Sequence, residues 1–228
     1  MLTDQVPRIF RPMMESRREA REAIVRRGRR LTWATIAYNS LEAVLSLLAG
    51  LVAGSVALTG FGFDSVIEVT SSGAGLWRLH ADASPERRAR SERRALRIVG
   101  VCFLVLAAYI AMQAAHTLMT GRRPAASPLG IVIAVGSLIV MPLLARAKRR
   151  VAAQLGSGAL TAEARQTDIC WHLSLILLAG LLLHALLGWW WADPVAALGM
   201  IPLIAHEGIE AVRGRTVCAD GCCDNAVT

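Results

Sequence analysis

Charged side chains are scarce in this chain. Asp, Glu, Lys and Arg make up 18% of its residues, whereas they make up about a quarter of a typical soluble domain. Hydrophobic residues reach 54%, and the mean hydropathy is +0.46. A soluble domain needs a wettable surface that this composition does not supply. We therefore expect an all-α integral membrane protein.

Motifs of catalysis are also lacking. The sequence shows no Ser/His/Asp arrangement, no H-E-x-x-H pair and no glycine-rich phosphate loop. Its five cysteines suggest no oxidised framework, so we interpret them as thiols or metal ligands. We expect neither an enzyme nor a bound prosthetic group.

Six apolar blocks are each long enough to cross a bilayer core of about 30 Å, which takes roughly 20 helical residues. They are residues 31–53, 55–77, 96–119, 128–145, 162–187 and 189–212. We expect residues 31–212 to form a six-transmembrane-helix bundle, with a basic arm at 1–30 and a short cysteine-containing tail at 213–228. The nine arginines of the arm leave no apolar run of signal-peptide length, and we interpret the arm as solvated.

The basic residues are distributed unequally between the two ends of the predicted helices. If six helices alternate in direction, 23 of the 25 Lys and Arg residues fall on one side, and only Arg122 and Arg123 fall on the other. Cytoplasmic loops carry such an excess of Lys and Arg. We therefore predict cytoplasmic N- and C-termini and a place in the inner or plasma membrane. The net charge of +8 is explained by this topology, so we expect no nucleic acid partner.

Two carboxylates lie in the middle of the second apolar block. Asp64 and Glu68 are four residues apart, so on a helix they share one face. Each costs about 2.5–3.5 kcal/mol at the bilayer centre, and side by side they repel unless a proton or a cation lies between them. The pair thus predicts a site where divalent metal ions and protons compete. The alternative is two protonated carboxyls hydrogen-bonded across helices.

The fifth block offers two sets of partners at the same spacing. Gln166 and Cys170 are four residues apart, and so are Asp168 and His172. The two pairs lie on faces about 200° apart, so only one pair can face the second helix. Spacing alone leaves the choice open, although Asp168 and His172 form the more conventional ligand pair.

Three motifs in order resemble those of the cation diffusion facilitator (cation efflux) family. Residues 54–58 (GSVAL) and 64–68 (DSVIE) resemble the family's GS-x-AL lead into a second-helix D-x-x-x-D motif. Residues 162–170 (AEARQTDIC) resemble its fifth-helix AD-x-x-H-x-x-x-D motif. Residues 191–197 (WADPVAA) resemble the W-x-DP-x-AAL opening of its sixth helix.

The resemblance implies a set of metal ligands. Asp64 and Glu68 match the two second-helix ligands, Gln166 matches the family's histidine, and Cys170 matches its second aspartate. A thiolate favours softer ions such as Zn²⁺ or Cd²⁺ over Mg²⁺, whereas glutamine gives only a weak carbonyl oxygen. Glu42 of the first helix is a candidate replacement ligand or proton carrier.

Two further features qualify the ligand set. Asp168 is a reserve ligand if the fifth helix is rotated from the aligned register. The chain resembles a short form of the family that lacks its C-terminal cytoplasmic dimerisation domain, so a homodimer stays an open expectation. Cys218, Cys222 and Cys223 of the tail are candidates for an additional metal-capturing site.

The function implied by the resemblance is export of divalent, Zn-like transition-metal ions from the cytoplasm in exchange for protons, by alternating access. The expected partners are the metal ions and the lipid bilayer. Two alternatives stay open: a membrane metal sensor or regulatory protein without transport, and a transporter of another substrate.

Overall fold

The computed structural model describes residues 11–80, 85–155 and 158–213, and within these ranges it contains six helices and no strand. The helices are α1 (Arg11–Ala53), α2 (Val56–His80), α3 (Pro85–Thr120), α4 (Pro128–Leu155), α5 (Gly158–Leu187) and α6 (Ala192–Arg213). All except α2 contain spans long and apolar enough to cross a membrane. The 25 residues of α2 reach about 37 Å, so its length also suffices. The predicted all-helical membrane fold is confirmed.

Several helices continue past their apolar blocks. Within α1, residues 11–30 continue the helix ahead of the apolar block, and Arg26, Arg27, Arg29 and Arg30 are exposed. Hydropathy marks only the stretch that lipid can surround, whereas arginine, glutamate and alanine are good helix formers that prolong the backbone beyond it. Ile24 and Leu31 pack against Val151, Ala152 and Leu160 near the adjoining ends of α4 and α5. From Ile24 onward, α1 therefore contacts the rest of the bundle.

The three odd-numbered helices end in the same way. Gly54, Gly121 and Gly188 follow α1, α3 and α5, and each has a positive φ of 66°, 63° and 68°, respectively. After α1, the Ser55 amide donates to the Gly50 carbonyl at 2.9 Å, which is the long hydrogen bond of a Schellman motif. Residues that carry a side chain rarely adopt this backbone conformation. The glycines therefore allow three tight turns at one end of the bundle.

Pairs of helices pack closely where side chains are small. A Cβ atom at Gly100 of α3 would lie 2.7 Å from the carbonyl oxygen of Gly208 of α6. Such contacts let backbones approach in a membrane, where lipid tails provide no hydrophobic driving force between helices. Outward-facing positions carry exposed apolar side chains such as Val52, Met119 and Leu186.

Helix α2 lies inside the bundle. It packs against α1, α3, α5 and α6, and its Leu58 and Phe61 side chains are fully buried in the apolar core. Four polar residues further along α2 are buried and therefore face protein and not lipid: Asp64, Ser65, Glu68 and Ser72.

Candidate metal site

The two carboxylates of α2 are buried in the bundle interior. Asp64 is 4% exposed and Glu68 is 2% exposed. Their four-residue spacing places them on one face of the helix, as the sequence predicts. Because α2 is surrounded by four other helices, both carboxylates meet side chains from neighbouring helices.

Cys170 of α5 faces these carboxylates. Its side chain is 1% exposed, and its thiol interacts electrostatically with the carboxyl groups of both Asp64 and Glu68. Asp168 instead forms an ion pair with Arg149 of α4. The exposed His172 ring places Nδ1 2.8 Å from the Asp168 carbonyl oxygen.

The structure thus brings the Cys170 face of α5, and not the Asp168/His172 face, against α2. Gln166 lies one turn before Cys170 and is partly buried, and its Nε2 atom is buried without a hydrogen-bond partner. The reserve ligand Asp168 is engaged elsewhere.

Glu42 of α1 adds a third carboxylate to the same interior. It is 3% exposed, and its Oε2 accepts a 2.9 Å hydrogen bond from the Ser65 hydroxyl of α2. The hydroxyls of Tyr38 and Ser137 also lie beside it. One turn earlier, Asn39 is fully buried, and neither its amide nitrogen nor its amide oxygen has a hydrogen-bond partner.

The Thr167 hydroxyl of α5 forms a hydrogen bond with one carboxylate oxygen of Glu68. The Thr167 hydroxyl donates to Glu68 Oε1 at 2.7 Å, whereas Glu68 Oε2 is buried and has no hydrogen-bond partner. On its other side, Thr167 Oγ1 lies 3.1 Å from the Lys148 ammonium of α4. Lys148 is fully buried, 3.7 Å from Glu163 Oε2.

Our sequence analysis missed Lys148 and Thr167. Lys148 falls within a basic run, which the sequence analysis assigns as a whole to the cytoplasmic side of the predicted helices. Helical spacing indicates that Lys148 faces the bundle interior. Ala145, Val151 and Ala152 lie three or four residues away on the same face of the helix, and all three are buried. The neighbouring Arg146 and Arg149 are exposed.

These side chains line the same part of the bundle interior, but they do not form a complete set of metal ligands. Among the residues that the structure describes, no three His, Cys, Asp or Glu side chains are grouped as a ready-made metal site. Hydroxyl groups occupy one oxygen each of Glu42 and Glu68 instead. Cys218, Cys222 and Cys223 lie outside the described residues, so metal capture by the tail stays a prediction.

A bundle of six helices with buried acidic and thiol side chains is an arrangement expected of a membrane transporter of cations. The model of the cation efflux transmembrane domain matches residues 32–214, which include all six helices except the beginning of α1. The chain belongs to the cation efflux family, as the three sequence motifs indicate.

Two relatives show how far the likeness extends. Transmembrane protein 163 of Xenopus laevis is 29% identical over 133 residues, which are 58% of this chain and 47% of that protein. An uncharacterized transporter of Synechocystis sp., sll1263, is 25% identical over 177 residues, which are 74% of this chain and 56% of that protein. The matched region spans about half the length of both relatives. The family and this likeness support a cation transporter and not an enzyme.

Proposed function

We propose that this protein exports divalent, Zn-like transition-metal ions from the cytoplasm in exchange for protons. The observation that carries the proposal is the meeting of Asp64, Glu68 and Cys170 in the buried interior. Ionisable side chains at such depth are costly and are retained where an ion or proton pathway needs them.

The donor atoms favour a particular class of cation. Two carboxylates and one thiolate suit a borderline ion such as Zn²⁺ or Cd²⁺ better than Mg²⁺ or Ca²⁺, which prefer oxygen ligands alone. A fourth ligand can come from the Gln166 carbonyl oxygen or, after rearrangement, from Glu42. Zn²⁺ sites are commonly four-coordinate.

The orientation of the bundle in the membrane follows from the distribution of charge. Residues at the end of the bundle where α1 begins carry nearly all of the chain's Lys and Arg. The positive-inside rule assigns this basic end, and both termini, to the cytoplasm of an inner or plasma membrane. In the proposed export, metal ions enter from the basic end and leave at the end with the three glycine turns.

Exchange for protons follows from the cost of moving charge. An empty, ionised set of carboxylates would be expensive to carry through the membrane interior. A divalent ion neutralises the set on the outward step, and protons neutralise it on the return. Alternating access of one site to the two sides then couples the two flows.

The test is metal transport into proteoliposomes under an imposed pH gradient, with Zn²⁺, Cd²⁺, Co²⁺, Ni²⁺, Mn²⁺ and Fe²⁺ in turn. We expect the wild type to move a subset of these ions and to move protons in the opposite direction. Asp64→Asn keeps the shape of the side chain but removes its charge, and we expect it to abolish metal transport.

Asp168→Asn is the matched comparison, because it removes a carboxylate from α5 that the structure places against Arg149. We expect transport to survive this change. Loss of transport in Asp168→Asn with normal transport in Asp64→Asn would reverse the assignment of the metal-binding face. Absence of transport of every ion by the wild type would contradict the proposed activity and favour a sensor.

A further inference from the structure

Lys148 is an unusual residue in this chain. The 25 basic residues comprise 24 arginines and a single lysine, Lys148. It is fully buried, whereas its neighbours Arg146, Arg149 and Arg150 are exposed. A buried ammonium costs several kcal/mol unless it is paired and hydrogen-bonded, so its surroundings must provide compensation.

That compensation comes from α5, with a further contribution from α1. The Lys148 ammonium lies 3.7 Å from Glu163 Oε2 and 3.1 Å from Thr167 Oγ1, both on α5. Glu163 Oε2 also accepts a 3.3 Å hydrogen bond from the Thr32 hydroxyl of α1. The ammonium on α4 is thus anchored by an ion pair with α5, and a hydrogen bond joins that ion pair to α1.

The contact with Thr167 has a defined direction. An ammonium can only donate, so the Thr167 oxygen accepts from Lys148 and its own proton is free to be donated. The hydroxyl lies 2.7 Å from Glu68 Oε1 and 3.0 Å from the backbone carbonyl oxygen of Glu163. The carboxylate is the stronger acceptor, and donation from the ammonium strengthens the hydroxyl as a donor to it.

The two oxygens of Glu68 are consequently distinct. Oε1 is fixed by Thr167, whereas Oε2 is buried and has no hydrogen-bond partner. A carboxylate that binds a metal through one oxygen is commonly oriented by a hydrogen bond to the other. Glu68 has this arrangement, with Oε1 held by Thr167 and Oε2 without a partner.

We propose that Lys148 is a positioning residue for metal binding: acting through Thr167, it fixes Glu68 Oε1 and presents Oε2 to the incoming divalent ion. Lysine suits this task because its ammonium is a compact point charge with three donors, and here it is fully buried beside Glu163 and Thr167. The inference rests on the proposed function, because it assigns Lys148 a part in binding the transported ion.

The first test is Zn²⁺ and Cd²⁺ binding to the purified full-length protein by isothermal titration calorimetry. Removal of a group that orients a metal ligand typically lowers metal affinity about 10- to 100-fold. We expect losses in this range for Lys148→Met and Thr167→Val, whereas Thr167→Ser keeps the hydroxyl and retains affinity. Equal affinities in Thr167→Val and Thr167→Ser would overturn the proposal even if Lys148→Met failed to fold.

The second test uses the single lysine as its own reporter. Acetylation by an amine reagent, followed by mass spectrometry of the peptide that contains Lys148, measures exposure of this side chain without interference from other lysines. If the Lys148 network favours metal binding, then bound metal must favour the network to the same degree. Saturating Zn²⁺ should therefore slow acetylation of Lys148, and Asp64→Asn should abolish the slowing.

The outcomes separate this inference from the proposed function. In one outcome, the wild type binds Zn²⁺ through Asp64 while Lys148 is acetylated at an unchanged or faster rate with Zn²⁺. That result would overturn the positioning role alone. Zn²⁺ binding that is insensitive to Asp64→Asn would instead contradict the proposed site. Without any metal, Thr167→Val should speed acetylation, and an unchanged rate there would contradict the network itself.

Discussion

The carboxylate of Asp193 in α6 accepts hydrogen bonds from Ser55 and Val56 at the N-terminal end of α2. Its Oδ2 accepts a 2.8 Å hydrogen bond from the Val56 amide, and its Oδ1 accepts one of 2.5 Å from the Ser55 hydroxyl. The Ser55 oxygen in turn caps α2 by accepting a 3.0 Å hydrogen bond from the Leu58 amide. Asp193 lies in the first turn of α6, yet its carboxylate is bonded to the first amide of α2.

This relationship predicts a loss of stability in Asp193→Ala. The substitution leaves the buried Val56 amide and Ser55 hydroxyl without their acceptor, which costs about 1–3 kcal/mol. The free energy of unfolding, measured by denaturant titration of the detergent-solubilised protein, should fall by this amount. Asp193→Asn retains one acceptor oxygen and should lose less. Equal stability of wild type and Asp193→Ala would contradict the cap.

The crossing of α3 and α6 predicts that Gly100→Ala is destabilising. The added methyl would lie 2.7 Å from the Gly208 carbonyl oxygen and 2.8 Å from the Val212 backbone nitrogen, so two backbones would have to separate. Overpacking of this kind costs roughly 1–3 kcal/mol. The same denaturant titration should show the loss.

Gly73→Ala is the matched control for this packing change. A Cβ atom at Gly73 meets nothing within 4 Å, and alanine is favoured over glycine inside a helix by up to about 1 kcal/mol. Gly73→Ala should therefore be neutral or stabilising. A similar destabilisation by both substitutions would indicate a general sensitivity to glycine replacement and not a close helix crossing.

Metal preference is expected to depend on Cys170. Cys170→Asp replaces a soft thiolate with a hard carboxylate, which should reduce the preference for Cd²⁺ over Mn²⁺ by about tenfold or more. Competitive metal binding to the purified protein measures this ratio. Cys102→Ser is the control, because Cys102 is an exposed free cysteine on α3. An unchanged ratio in Cys170→Asp would remove the thiol from the ligand set.

Deletion of residues 214–228 tests the alternative of a sensor. The deletion removes Cys218, Cys222 and Cys223 but none of the interior ligands. A transporter should keep its Asp64-dependent flux in proteoliposomes and change only its apparent metal affinity. Abolished flux in a truncated protein that still inserts into the membrane would show that the tail is indispensable.

Hydropathy and charge predict much of this fold because a membrane imposes strict requirements. Each span must satisfy its own backbone hydrogen bonds, so an apolar block of sufficient length becomes a helix. The predicted ends at residues 53, 187 and 212 fall at or within one residue of the observed ends. Beginnings and basic extensions, such as residues 11–30 of α1, were less predictable because helix formation outside the apolar block depends on packing.

The candidate site was predictable only in part. Asp64 and Glu68 stand out because carboxylates at that depth need partners. The choice between Cys170 and Asp168 depends on the rotation of α5, which residue spacing cannot supply. Lys148 was hidden because a basic run looks alike whether its members face water or protein.

The sequence by itself determined the class of protein, the number of helices and the pair of carboxylates in the second one. These follow from local properties: the length of apolar runs, the spacing of residues on a helix and the cost of charge in lipid. Only the tertiary structure decided that Cys170 faces the carboxylates and that Asp193 caps another helix. It also decided that hydrogen bonds link Glu68 to Thr167 and Thr167 to Lys148. Each of these depends on how separate helices rotate and pack against one another, and that arrangement is fixed by contacts between residues distant in the chain.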